Sequence, residues 1–373
     1  MRLLFLLAAL TLVGCAEAQQ TRQTELPGFS TNTSKRSIEL SELRSGGPPK
    51  DGIPSIDAPR YVAPREAGWL VDREPVILLR VNGEARIYPL QILTWHEIAN
   101  DTLGGVPVAV TFCPLCYAAV AFDRRIPAGE EQPDGETRTL SLGVSGMLRM
   151  SDMVMYDRQT ETLWQQITGE ALVGDLLGTT LTQLPAQIVS FADARTSAPQ
   201  ALVLSRETGH DRAYGRNPYV GYDDVDARPF LFDGEIDGRV PPMEHVVAVE
   251  RGGEAVAVSF ARLREDRVWQ GEVGGEPVVV LWAPGTATAL GGADIASASD
   301  RGAVGVFTPE ADGARLSVRA RGGEIVDEAG NRWSVTGEAV AGPLEGARLE
   351  PIPFHDTFAF AWLAFRPQTR VVE

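Results

Sequence analysis

Slid against itself by 170 positions, the chain meets its own residues without a gap. Glu74, Val76, Gly83, Glu84, Ala85, Leu93, Gly104, Gly105, Pro107, Val108, Val110, Pro114 and Ala119 fall on identical residues at Glu244, Val246, Gly253, Glu254, Ala255, Leu263, Gly274, Gly275, Pro277, Val278, Val280, Pro284 and Ala289. Roughly three identities would be expected by chance over such a window. After a length change the match resumes at 168 positions. Thr168-Gly169-Glu170-Ala171 then falls on Thr336-Gly337-Glu338-Ala339, and Gly174, Gly178, Leu181, Pro185 and Pro199 on Gly342, Gly346, Leu349, Pro353 and Pro367. A chain built this way is expected to fold as two similar units of common descent.

Local patterning gives the class of those units. Val76-Ile77-Leu78-Leu79-Arg80-Val81, then Asn82-Gly83, then Ala85-Arg86-Ile87-Tyr88 reads as two strands joined by a tight hairpin turn. Helical periodicity is sparse, with the best case near Pro89 to Ala99. The fold class is mainly β with a few helices: two tandem, internally duplicated β-rich units docked together, residues 51–205 and 243–373. Between them, residues 206–242 hold Tyr214, Tyr219, Tyr222, Phe230 and Phe232 among Asp, Gly and Pro. Aromatics in an irregular segment usually pack into an interface, so a buried connector is expected; stacking against an aromatic ligand is the sharper alternative.

The N-terminus reads as an export signal. Arg2, the apolar stretch Leu3 to Leu12 and the small-residue pattern Leu12-Val13-Gly14-Cys15 match a lipoprotein leader, residues 1–14, cleaved before Cys15. The apolar run is too short for a stable spanning helix. A lipidated Cys15 would anchor the chain by several acyl chains, and Ala16 rather than Asp after it makes the outer membrane, facing the periplasm, the expected destination. Residues 15–50, polar and ending in Gly46-Gly47-Pro48-Pro49, read as the lipidated cysteine and a flexible tether. With 50 acidic against 34 basic side chains, the surface is a poor match for nucleic acid or anionic headgroups.

The repeat also serves as a control, because residues kept in both copies are explained by the shared framework. Trp95-His96 of the first copy faces Glu265-Asp266 of the second, and Cys113-Pro114-Leu115-Cys116 faces Ala283-Pro284-Gly285-Thr286. Once Cys15 is lipidated, Cys113 and Cys116 are the only thiols left, and both belong to one copy. In an oxidising compartment an exposed vicinal pair forms a disulfide unless a metal or reductant prevents it. Such a short loop stabilises a fold little, which weakens a purely structural purpose.

A Cys-x-x-Cys turn after an apolar strand can direct two sulfurs at one centre, as a metal knuckle or a dithiol couple. The absence of a second cysteine pair counts against a closed zinc site, and the strand-like Tyr117 to Phe122 counts against a thioredoxin arrangement. Copper(I) suits the available sulfur and imidazole, with His96 as third ligand and Met147, Met150, Met153 or Met155 to complete the set; Met155 is the tentative choice. The bland reading of the methionines is adaptable core filler. Trp95, Asp101 and Trp164 are candidate lining residues. Hydrolysis by paired carboxylates lacks a constellation confined to one copy.

Several motifs in order also carry a resemblance. Trp95-His96-Glu97-Ile98-Ala99-Asn100-Asp101, Gly104-Gly105-Val106-Pro107-Val108, Cys113-Pro114-Leu115-Cys116, Met155-Tyr156-Asp157-Arg158 and Leu163-Trp164-Gln165-Gln166-Ile167-Thr168-Gly169-Glu170 resemble the signature of family 3179 of the domains of unknown function, from about Asp51 to the C-terminus. The resemblance implies an uncharacterised, mostly exported protein and no particular reaction. It supports His96, Cys113 and Cys116 as the site. Family members commonly carry Gly or Asn after the second cysteine, where this chain has Tyr117.

The resulting expectation is an envelope lipoprotein whose first unit bears a Cys113, Cys116 and His96 centre for copper or thiol redox work, with a redox or metal-donor partner not identified. The rival is a non-catalytic binding or scaffolding module in which Cys113 and Cys116 form a disulfide. The centre requires an imidazole nitrogen of His96 within about 5 Å of a sulfur.

Overall fold

The computed structural model describes residues 26–127 and 136–373. The leader and Cys15 lie outside the described residues.

In the first unit the expected hairpin forms from β1 (Pro75–Val81) and β2 (Glu84–Pro89), Val81 pairing with Glu84 around the Asn82-Gly83 turn. Both turn residues have positive φ, 48° and 82°, the geometry that suits the twist of a two-residue hairpin. Pro89, which has no N–H to lose, leads directly into the short helix α1 (Leu90–His96). A second hairpin follows, β3 (Ile98–Leu103) and β4 (Val106–Cys113), closed by Gly104-Gly105. A Cβ on Gly104 would collide with the Val81 carbonyl, so the turn packs only with glycine there. β4 turns back as β5 (Ala118–Asp123), with Cys113 opposite Ala118. A separate sheet is built on β6 (Leu142–Arg149) and β7 (Asp152–Asp157).

The elements recur 170 residues later. β8 (His245–Arg251), β9 (Glu254–Ser259), the helix α2 (Phe260–Asp266), β10 (Val268–Val273) and β11 (Glu276–Ala283) repeat the boundaries and pairing registers of β1 to β4. Gly274 meets the Arg251 carbonyl as Gly104 meets that of Val81. The gapless match then fails. Residues 114–117 make a tight turn in the first unit, whereas residues 284–302 form a long loop before β12 (Ala303–Thr308). Ala119 lies in β5, while Ala289 lies in that loop, so their identity is not a structural equivalence.

The chain is mainly β, with several sheets, none closed. The largest core joins both halves, combining Ile77, Leu79, Val110 and Phe112 with Val246, Ala248, Phe358 and Trp362. Residues 26–50 depart from the tether expectation. Leu26 and Ile38 are buried against Val154, Leu163 and Leu172, and Arg44–Ser45 pairs with β6. These anchors are isolated apolar residues in a polar stretch, which composition alone reads as linker.

Candidate functional site

The Cys-Pro-Leu-Cys segment ends β4 at Cys113 and supplies most of the four-residue turn, residues 114–117, that leads into β5. Its closure rests on Cys116 N–H to the Cys113 carbonyl at 3.3 Å and Tyr117 N–H to that of Pro114 at 3.2 Å. Tyr117 occupies the left-handed region at φ 52°, where Gly or Asn sits more easily. Its ring is held between Phe112, His245 and Phe358, at centroid distances of 5.5, 4.6 and 5.7 Å, and its hydroxyl accepts from Ala289 N–H at 2.9 Å. The second half of the chain also grips the turn. The Cys116 carbonyl accepts from Phe358 N–H at 2.9 Å and Thr357 Oγ1 at 2.7 Å.

Cys113 and Cys116 are buried and not joined by a disulfide. Their sulfurs and a carboxylate oxygen of Asp152, at the start of β7, all lie within 4.8 Å of one another. Among the described residues, this is the one such group of three or more His, Cys, Asp or Glu side chains. Asp152 is oriented by Gln165 Nε2 at 2.6 Å and Ile167 N–H at 3.0 Å, both on Oδ2; Oδ1 has no hydrogen-bond partner. Cys116 Sγ also lies 3.5 Å from the Ser151 carbonyl.

The centre is crowded with acids. Burial pushes the Asp152 carboxyl up to about 6, against the pull of Gln165 and Ile167. Burial and then Asp152 push Glu97 up to about 8. Both thiols are raised, chiefly by burial, Cys116 most; Asp152 adds to both, and Glu97 to Cys113. No basic side chain figures among the main influences on any of the four.

His96 is not part of this group. Its Nδ1 donates to the Pro54 carbonyl at 2.7 Å, which leaves Nε2 to accept from the Tyr214 hydroxyl at 2.6 Å. Both nitrogens are thus engaged, and burial lowers the ring's pKa to about 4, keeping it neutral. Met155 is wholly buried in the core, opposite Trp164 in the strand pairing. Trp95 binds the Arg216 carbonyl through Nε1. Asp101 is committed to the Tyr88 hydroxyl at 2.5 Å and to Arg86 at 3.5 Å.

Trp164 belongs to the framework. Its indole N–H meets Asp157 at 3.1 Å, and in the second unit Trp333 meets Asp327 in the same way at 3.0 Å. Sequence reasoning missed Asp152, which lies where the copies differ in length. It also missed Glu97, although its counterpart at 170 positions is Arg267.

A cavity of about 560 Å³ adjoins the centre, lined by Glu97, Leu115 and Met153 and walled by Tyr219, Tyr222 and Phe230 of the connector. The Tyr222 hydroxyl fixes that wall, donating to the Leu115 carbonyl at 3.1 Å and accepting from Phe230 N–H at 3.0 Å.

Residues 50–369 match the family model described as Protein of unknown function (DUF3179). No curated protein and no solved structure matches the chain.

Proposed function

We propose that this chain, which belongs to the DUF3179 family of proteins of unknown function, is an envelope lipoprotein whose first unit binds a thiophilic metal ion through Cys113, Cys116 and Asp152. The observation that carries the reading is the mutual approach of three buried acidic ligand groups within 4.8 Å. A cation would stabilise both thiolates and the carboxylate at once, reversing the penalty that burial imposes. Two sulfurs suit copper(I). The carboxylate, standing where an imidazole was expected, is a harder donor and favours a borderline divalent ion such as zinc(II).

Thiol exchange with a protein partner is the weaker reading. It needs an accessible thiolate of lowered pKa, whereas Cys113 and Cys116 are 2% and 0% exposed and both are raised. The envelope assignment is supported by the leader and Cys15 in the sequence.

Protein matured in the envelope and purified without chelator should carry about one copper or zinc per chain by elemental analysis, with both thiols protected from alkylation until the metal is removed. Cys113→Ser/Cys116→Ser should abolish the metal, and Asp152→Asn should weaken it by tenfold or more. A metal-free protein with a quantitative Cys113–Cys116 disulfide would support the scaffolding alternative instead.

A further inference from the structure

The cavity beside the centre is far larger than a bare ion needs and falls within the range of small-molecule sites. Its lining combines the rings of Tyr219, Tyr222 and Phe230 with the thioethers of Met147 and Met153. Into this apolar surround comes Glu97, only 7% exposed. Its carboxyl has no hydrogen-bond partner among the described residues. A buried carboxyl without a partner is costly, and aromatic walls around an acid are the arrangement that recognises organic cations.

We propose that this cavity binds a small organic cation, an amine or quaternary ammonium on an apolar body, with its charge against Glu97 and its body among Tyr219, Tyr222 and Phe230. An anion would be repelled by the ionised Glu97 and would gain nothing from the faces of the aromatic rings. A neutral hydrocarbon would leave Glu97 unpartnered. A hydrated metal ion would gain nothing from the apolar wall. The basic side chain on the lining, Arg228, is exposed, where solvent and salt screen it. The proposal goes beyond the metal reading and does not depend on it.

The test is calorimetric titration of the intact chain at about pH 8.5, where Glu97 is ionised and the amine still carries its proton, with benzylamine and with its uncharged counterpart benzyl alcohol. Benzylamine should bind at least tenfold more tightly than the alcohol. Glu97→Gln should erase that preference, and Phe230→Ala, at a half-exposed position, should weaken benzylamine several-fold. Cys113→Ser/Cys116→Ser should lose any metal yet keep the amine preference, which separates this site from the metal centre. Equal binding of amine and alcohol, binding of neither, a preference that survives Glu97→Gln or vanishes in the double cysteine variant, or full affinity in Phe230→Ala would each overturn the proposal. The Phe230 result stands even if Glu97→Gln fails to fold.

Discussion

Glu97 and Arg267 hold one backbone position in the two halves of the chain. Each ends its helix at positive φ, 58° and 61°. Each donates its N–H to a helix carbonyl, Leu93 or Leu263, at 2.7 Å, and each accepts from the second strand after the helix, at Phe112 in β4 or Trp282 in β11, at 2.8 Å. The left-handed residue is therefore a requirement of the framework and stores no strain peculiar to the site. Only the side chain differs: Glu97 borders the cavity, while the Arg267 guanidinium lies 5.3 Å from the Trp282 ring centroid.

The buried acid gives the metal-free protein a defined pH signature. Unfolded, Glu97 titrates near 4.5; folded, near 8. Between these values the folded chain keeps a proton that the unfolded chain releases. Its contribution is therefore full below about pH 4.5 and is lost as pH rises through 8, by up to about 1.4 kcal/mol per pH unit. Asp152 acts in the same sense only up to about 6, while His96, held neutral with its pKa down at about 4, loses stability as pH falls below 6.5. The most selective window is about pH 7.5 to 8, above the unfolded titration of His96 and of His245 and His355, which burial likewise holds neutral. Urea denaturation there should show a steeper decline for the parent than for Glu97→Gln, and parallel declines would refute the assignment.

Trp164→Phe and Trp333→Phe should behave alike. Each removes an indole N–H from a buried contact with Asp157 or Asp327, at an expected loss of about 1–3 kcal/mol. Neither should change metal content. A metal defect in Trp164→Phe, with the fold intact, would return that residue to the site.

Thr357→Val tests the grip of the second half on the first. Its Oγ1 holds the Cys116 carbonyl at 2.7 Å, and the isosteric valine removes that bond while leaving every thiol and carboxylate in place. Metal affinity is expected to fall several-fold, with a changed ligand-to-metal absorption band if the ion is replaced by cobalt(II). An unaltered spectrum and affinity would reduce the contact to simple packing.

Cys15→Ser should abolish acylation and leave the protein unprocessed or soluble after cell fractionation. Partition with the membranes at the parent level would remove the lipoprotein reading.

The β-rich class and the first hairpin were legible because alternation and Asn82-Gly83 are local signals. The short helix was legible too, though Ile98 and Ala99 begin a strand instead of extending it. Comparing the copies isolated Cys113 and Cys116. It also raised His96, whose distinctiveness reflects bonds to Pro54 and Tyr214, partners that only folding brings near. Asp152 escaped because its approach to the thiols depends on how β7 packs against the loop after β4. No spacing in the sequence encodes that contact.

The bond from Thr357 and Phe358 to the Cys116 carbonyl also bears on genetic mapping. A screen for loss of the centre would return lesions more than two hundred residues from either thiol, in the half of the chain that contains no cysteine. A fragment ending near residue 205 would carry every proposed ligand and still lack the strand that holds one of them in register. Bioinformatic trimming to the cysteine-bearing half would thus discard part of the apparatus it was meant to isolate.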